Sequence, residues 1–371
     1  GVFKRVGDAR TLIIDEVSML SARTLTMVDA VCREVRRDQR PFGGLQVILV
    51  GDFFQLPPVE RRDVGERDPQ AEAFAQIEQR FAFSSPAWRA LAPLVCYLSE
   101  QHRQEDELFL GLLTALRRGD IDDDHRSLLE TRHAPTPTGV TQLYSHNADV
   151  DAINDTELNK LKGDQRAYHM SSNGKDTLVA GLKRGCLSPE TLILKVGARV
   201  MFTKNDHVMH KYVNGTLGVV TGFSDTGYPV VKTTDNKFVV AEPDEWRIED
   251  AGRPLATITQ VPLRLAWAMT VHKSQGMSLD AAHMDLSNAF EYGQGYVALS
   301  RVRTLAGLSL GGINQRALEV HPDILDVDAD FRALSSDARD AFAAMSKAEL
   351  ARMHTAFVDA CAGTEPEAEE E

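Results

Sequence analysis

Thr11-Leu-Ile-Ile-Asp15-Glu16 and Leu45-Gln-Val-Ile-Leu-Val50-Gly51-Asp52 are two short apolar runs that end on acidic residues, with a helical stretch between them. Strand, helix, strand in that order is the grammar of a parallel sheet with covered faces, because parallel neighbours need a crossover long enough to hold a helix. Open sheets of that kind bind ligands beyond the carboxyl ends of their strands, where both runs deliver their polar residues. The grammar returns from Val140 to Tyr144, before a helical pattern from about Ala148 to Leu161, and again from Leu263 to Val271, before a loop and a helix from about Tyr292 to Val302. Between Lys195 and Pro262 the period falls to two. Runs from Ala198 to Phe202, Thr216 to Phe223, Pro229 to Lys232 and Phe238 to Ala241, broken by Asn-Gly, Asp-Thr-Gly and Asp-Asn turns, predict a small inserted β-barrel. The charged span from Val59 to Arg80 reads as a surface excursion, and beyond Ser335 an Ala-rich periodicity predicts one or two helices before an acidic tail.

The 371 residues, 43% apolar, suffice for two or three domains with cores of their own. No run approaches the roughly 18 to 20 apolar residues of a membrane helix, so no membrane partner is expected. The opening residues are not charged-then-apolar in the secretory manner, and cytosol, nucleus and organelle matrix all stay open. Cys32, Cys96, Cys186 and Cys361 are too scattered for a zinc or redox pair and read as reduced thiols. A net charge of −13 counts against a surface that grips nucleic acid everywhere. Five of the negative charges, however, are Glu365, Glu367, Glu369, Glu370 and Glu371, in a tail read as disordered, and a local basic channel can still hold a strand.

The chemistry begins at the first strand end. Magnesium takes hard oxygen ligands and keeps most of its waters, which suits Asp15 as a ligand, direct or through water, while Glu16 orients or activates an attacking water. An acidic turn after a buried strand is the plainer alternative for so short a match. In Gly51-Asp-Phe-Phe-Gln55-Leu-Pro-Pro58 the Pro-Pro turn fixes a loop whose Gln55 amide can donate to a phosphate oxygen and accept from water, or can serve the turn alone. Phe53 and Phe54 read as core. The corner Ser145 to Asn147 offers phosphate a hydroxyl, an amide and the start of a helix, with Asn147 equally suited to capping that helix. In Val271-His272-Lys273-Ser274-Gln275-Gly276, Lys273 suits a DNA phosphate and Ser274 further phosphate oxygens. His272 fits either a DNA contact or a partly buried imidazole.

Asp15-Glu-Val-Ser-Met19, Arg33-Glu-Val-Arg-Arg-Asp-Gln-Arg-Pro-Phe-Gly-Gly-Leu-Gln46 and Gly51 to Pro58 together resemble the petite-integration-frequency (Pif-type) helicases, 5′ to 3′ DNA helicases of superfamily 1, group B. The Pro41-Phe42-Gly43-Gly44 ending resembles the signature that sets the family apart from RecD-like relatives; a localisation signal or a solvated helix face are other readings of its basic run. Leu98-Ser-Glu-Gln-His-Arg103-Gln104 and Gly293-Gln294-Gly-Tyr296-Val-Ala-Leu-Ser300-Arg301 resemble the motifs that carry the two arginine fingers. A planar, permanently charged guanidinium is suited to that role because transferring phosphoryl oxygens gather charge.

The resemblance implies ATP and Mg2+ as cofactors and Asp15, Glu16, Gln55, Arg103 and Arg301 as catalytic residues. It also implies Asp52, Gln104, Gln294 and Gly276 at the nucleotide, and His272, Lys273, Ser274, Gln275 and Asn147 at the DNA, with Gln275 relaying the nucleotide state. Single-stranded and forked DNA are the implied partners, genome maintenance (replication, repair, recombination, telomeres) the implied setting, and a monomer the expected state. The implied fold is α/β, with two RecA-like P-loop NTPase domains, the first incomplete, and an SH3-like barrel inserted in the second. Boundaries are expected at 1–100, 101–194, 195–261 (the barrel), 262–334 and 335–371 (helical extension and tail). In the barrel Lys204, Lys211 and Tyr212 are candidate strand contacts.

One element of the family pattern is missing from this sequence, the phosphate loop Gly-x-x-x-x-Gly-Lys-Ser/Thr; the lone Gly174-Lys175 pair continues with Asp and has no Gly five residues earlier. The expectation is therefore a fragment of a helicase, inactive as an ATPase by itself and with a gap or exposed edge in its first domain. A non-catalytic DNA-binding or scaffolding remnant, or a RecD-like helicase, is the alternative.

Overall fold

The structure, a computed structural model, describes residues 2–58, 81–98, 104, 106–137, 139–206, 209–250 and 252–360. The expected surface excursion, Arg103 and the acidic tail lie outside them. The chain forms two compact units, Phe3–Gln101 with Val320–Glu371, and His102–Glu319 with Gly1–Val2.

In the first unit β1 (Thr11–Ile14) and β2 (Gln46–Leu49) run parallel with Thr11 opposite Gln46. Period-two alternation splits their side chains. Leu12, Ile14, Val47 and Leu49 pack on a core of Val17, Leu25, Cys32, Phe42 and Leu45, whereas Ile13 and Ile48, which face each other on the opposite side, are 64% and 40% exposed. The crossover helix Ala22–Arg36 starts where Ser21 Oγ accepts from the Thr24 amide and stops at Arg37, which takes the left-handed conformation.

Arg33 and Arg36 in the last turn of this helix, with Asp29 one turn earlier, form a structural clamp on the chain that follows. Arg37 and Arg40 of the same basic run remain exposed, so only part of it fits a solvated face. Buried Asp29 accepts two bonds from Arg33 Nε at 2.9 Å and one from the Phe42 amide at 2.6 Å. Arg36 donates to the carbonyls of Gly43 (2.7 Å), Gly7 (3.1 Å) and Ala9 (2.7 Å). At Gly43, φ is +64° and an added Cβ would lie 2.6 Å from the Cys32 carbonyl oxygen, so only glycine turns this corner.

The C-terminal helices belong to the same unit, and the first spans Pro322–Ala344, starting well before the expected Ser335. Pro322 at its first turn and the His321 side chain accepting from the Asp323 amide define the start. Its N-terminal half is held by tertiary contacts that no Ala-rich period advertises. Phe331 joins Phe53, Phe83 and Trp88 with ring centroids 5.9 to 6.2 Å away, and Tyr97 Oη donates to Asp328 at 2.6 Å.

The second unit carries β3 (Thr141–Tyr144), β4 (Arg166–His169), β5 (Ser171–Gly174), β6 (Thr191–Leu194), β7 (Arg199–Phe202), β8 (Leu217–Phe223), β9 (Pro229–Thr233), β10 (Phe238–Val240), β11 (Asp244–Asp250), β12 (Arg253–Gln260), β13 (Leu263–Leu265), β14 (Ala268–Thr270), β15 (Ala282–Leu286) and β16 (Leu308–Ile313). Four of them form a parallel sheet in the order β14-β3-β15-β16, and β10-β9-β8-β7-β13 form an antiparallel one. The span expected as one barrel holds strands of two sheets, since β11 pairs with β12 and β12 in turn with β5. Leu263 to Val271, expected as one strand, likewise divides. β13 joins β7 and β14 joins β3, because Asn154 grips the chain at the switch, accepting from the Trp267 and Ala268 amides at 3.1 Å and donating to the Ala268 carbonyl at 3.0 Å.

Candidate functional site

On the first unit the two strand ends are laced together beyond the sheet. Val50 N donates to Ile14 O and Val17 N to Val50 O, each at 2.9 Å. That lacing leaves Gly51 so close that a Cβ would lie 2.9 Å from Val17 N. Glu16 is left-handed (φ 52°), an uncommon conformation for a residue with a side chain, and its amide donates to Asp15 Oδ1 at 2.8 Å. Across the lacing, Asp52 makes an Asx turn, accepting from the Phe54 amide at 3.2 Å, while its carbonyl accepts from Gln55 N at 3.0 Å. Asp15, Glu16, Asp52 and Gln55 thus share one carboxyl-terminal edge, with Asp15 exposed and the other three half-buried. Phe54 is buried and Phe53 packs on Phe83 at 5.0 Å, as core residues. Among the described residues no three His, Cys, Asp or Glu side chains form a metal cage. A magnesium ion needs only one or two carboxylates and its own waters, which the exposed Asp15 carboxylate fits.

The second unit presents an edge of its own. The chain leaves β14 through a short 3-10 turn, Val271–Ser274, that sorts the motif into inside and outside. Ser274 is fully buried with its hydroxyl donating to Val271 O at 2.8 Å, so it closes the turn and does not face the surface. Lys273 Nζ donates to Asn147 Oδ1 at 3.2 Å. Asn147 is the first residue of helix Asn147–Lys160, and its side chain serves Lys273 while His146 holds the cap position. Gly276 has φ +77° with open space around it. His272 is half-buried, and burial holds its pKa below the usual histidine value, with Glu291 acting weakly the other way. Phe290, 55% exposed, stacks on His146 at 4.9 Å and on His272 at 6.5 Å. Beside it Tyr144, Ser145, Asp149, Ala152, Ile153, Asp285 and Asn288 line a hollow.

Arg301 is 2% exposed. Its guanidinium donates to Val297 O (2.8 Å), Ser300 Oγ (2.7 Å) and Met277 O (3.3 Å), so the fork is held against its own helix end. Gln104 Nε2 reaches Ser300 O at 3.3 Å, which brings it to the same helix end. Gln294 is fully buried; its Oε1 accepts from the Phe290 amide at 3.1 Å and its Nε2 is buried without a hydrogen-bond partner.

The antiparallel sheet offers less than expected for strand contact. Lys204 is taken by Asp244 (2.6 Å) and the Glu245 carbonyl (2.7 Å). Tyr212 stacks on Phe202 at 3.9 Å, with its pKa pushed up to about 12 by burial and by Asp206 and Asp244. Lys211 is exposed. Two residues the sequence does not single out, Phe290 and Arg264, stand at the second edge. An exposed aromatic shortly after a strand end was the available signal for the first; for the second there was none.

The PIF1-like helicase family matches residues 1–127. An ATP-dependent DNA helicase Pif1 from Psychrobacter is 37% identical over 97% of this chain and 62% of its own length. One from Bdellovibrio bacteriovorus is 34% identical over 90% of this chain and 73% of its own. The chain spans about half the length of several other relatives, the human ATP-dependent DNA helicase PIF1 among them, at 50%. In structure it is similar to the Pif1 helicase of Candida albicans, with a TM-score of 0.74 and 34% identity over 88% of this chain and 78% of that one. It is also similar to a Bacteroides Pif1 bound to single-stranded DNA, with a TM-score of 0.67 and 29% identity over 91% and 78%.

Proposed function

Because this chain belongs to the PIF1-like helicase family, with its α/β fold of RecA-like domains, we propose that it supplies the magnesium, water-activating and strand-gripping parts of an ATP-dependent 5′ to 3′ DNA helicase that tracks single-stranded DNA and opens forked duplex. The observation that carries this is the lacing of two parallel strand ends, which gathers Asp15, Glu16, Asp52 and Gln55 at one edge. Asp15 would hold magnesium, whose charge offsets that of the phosphates. Glu16, held in a left-handed turn, takes the proton of the attacking water, and Gln55 orients that water. Arg301 reaches the terminal phosphate by exchanging its carbonyl partners for phosphoryl oxygens, which accept stronger, charge-assisted bonds. At the other edge Lys273 and Asn147 hold a backbone phosphate, and the exposed face of Phe290 stacks a base.

This sequence contains no phosphate loop, so turnover is assigned to the protein that carries this chain together with that loop. The test is strand displacement on a 5′-tailed forked duplex by that protein and its Glu16→Gln and Arg301→Ala forms. Each substitution should cost roughly 100-fold or more in rate while nucleotide still binds. Unwinding at the full rate would overturn the assignment.

A further inference from the structure

Arg264 on β13 is 9% exposed, yet its Nε has no hydrogen-bond partner, and among the described residues the guanidinium forms no ion pair. A buried donor without a partner costs about 1 to 3 kcal/mol, so the retention of this one calls for something that completes it. The surroundings say what. Lys273 lies near enough for burial, and then repulsion from Arg264, to hold its pKa below the lysine value; Asp151 is the acidic group that offsets both cations. Lys273 bonds Asn147 at the start of the 14-residue helix Asn147–Lys160, whose opening amides have no side-chain cap. With Asp149 in the first turn of that helix the local charges nearly balance, and what the site offers is donors: the unpaired Arg264 Nε, the Lys273 ammonium and the uncapped opening amides, a set suited to the oxygens of one phosphodiester.

We propose that Arg264 is a phosphate-binding residue that, with Lys273 and the first amides of helix Asn147–Lys160, takes one backbone phosphate of a single DNA strand. The proposal rests on the strand-gripping role given to this edge above and adds to it a residue that sequence alone leaves unmarked.

The experiment measures binding of a fluorescent oligothymidylate to the full 371-residue chain over a range of salt concentrations, with thermal unfolding in parallel. Arg264→Met should weaken binding roughly tenfold or more and flatten the slope of log affinity against log salt by about 0.7, the value of one phosphate contact on a single strand. Its melting temperature should hold or rise, because an unpaired buried charge is gone, and Arg264→Lys should keep most of the slope. Unchanged affinity and slope in Arg264→Met, with loss in Lys273→Ala, overturns the proposal alone. So does weaker binding accompanied by a lower melting temperature, the mark of a structural arginine. If Lys273→Ala also leaves binding untouched, the strand-gripping role of the whole edge fails.

Discussion

Asp29→Ala tests the claim that the signature stretch works by holding the nucleotide-side strand in place. The Asp29 carboxylate, 8% exposed, is the acceptor for the buried Phe42 amide at 2.6 Å and for Arg33 Nε at 2.9 Å. Removing it strands that amide, at about 1 to 3 kcal/mol. It also separates Arg33 from its partner, a loss discounted to about 1 kcal/mol because the Arg33 side chain is 26% exposed and keeps the Gln39 carbonyl. The local opening free energy should therefore fall by about 3 kcal/mol, which in native-state hydrogen exchange speeds the Phe42 amide roughly 100-fold. Residues 41–44 lead directly into β2 and from there to Asp52 and Gln55, so ATP hydrolysis by the protein carrying the chain should drop. Oligothymidylate binding, which belongs to the other unit, should not change. Phe42 exchange within threefold of the parent would refute the clamp, and an equal loss of DNA binding would show that the damage is global.

Two further outcomes follow from the second unit. Phe290→Ala removes an exposed ring that stacks on His146; oligothymidylate affinity should fall by about 1 kcal/mol or more, the worth of one stacked base, with no change in melting temperature, and unaltered affinity would remove Phe290 from the strand path. Burial holds His283, which bonds Ser309 at 2.9 Å, below the histidine value of 6.5. The folded state thus refuses a proton that the unfolded chain accepts, so stability present above pH 6.5 declines as pH falls below it. Urea midpoints from pH 7 to 5 should decline less in His283→Gln than in the parent, and equal declines would contradict the sign.

What could be read from sequence was whatever depends on neighbours along the chain. Thr11 to Ile14, Gln46 to Leu49 and Thr141 to Tyr144 are strands because β-branched, aliphatic and aromatic residues dominate these short runs. The gathering of Asp15 with Asp52 follows from parallel pairing alone. What could not be read was which polar groups the fold would consume. Lys204 and Tyr212 read as strand contacts, but Asp244, forty residues on, holds the first and Phe202, across the intervening loop, stacks on the second. Arg33 and Arg36 looked like surface charge until a tight turn folded carbonyls onto them. The start of helix Pro322–Ala344 was hidden because its anchor is an aromatic cluster contributed from residues 53 to 88.

A six-residue match is a poor guide to six roles for the same physical cause. In Val271 to Gly276 a 3-10 turn places three residues per revolution, so neighbouring members point to different environments. Val271 and Ser274, three apart, both face inward and are fully buried, whereas His272 and Lys273 look outward toward Phe290 and Asn147. The polar character of Ser274 is spent on the turn that aims Lys273. A charge such as Arg264 is the converse case: it stands on a three-residue strand with no recognisable motif around it, and only the absence of a partner in the folded chain marks it. Residue type states what a side chain can bind, and the packing around it decides whether that capacity is already filled. Two buried arginines of this chain therefore stand apart, Arg301 held by its own helix end and Arg264 with no hydrogen-bond partner at Nε.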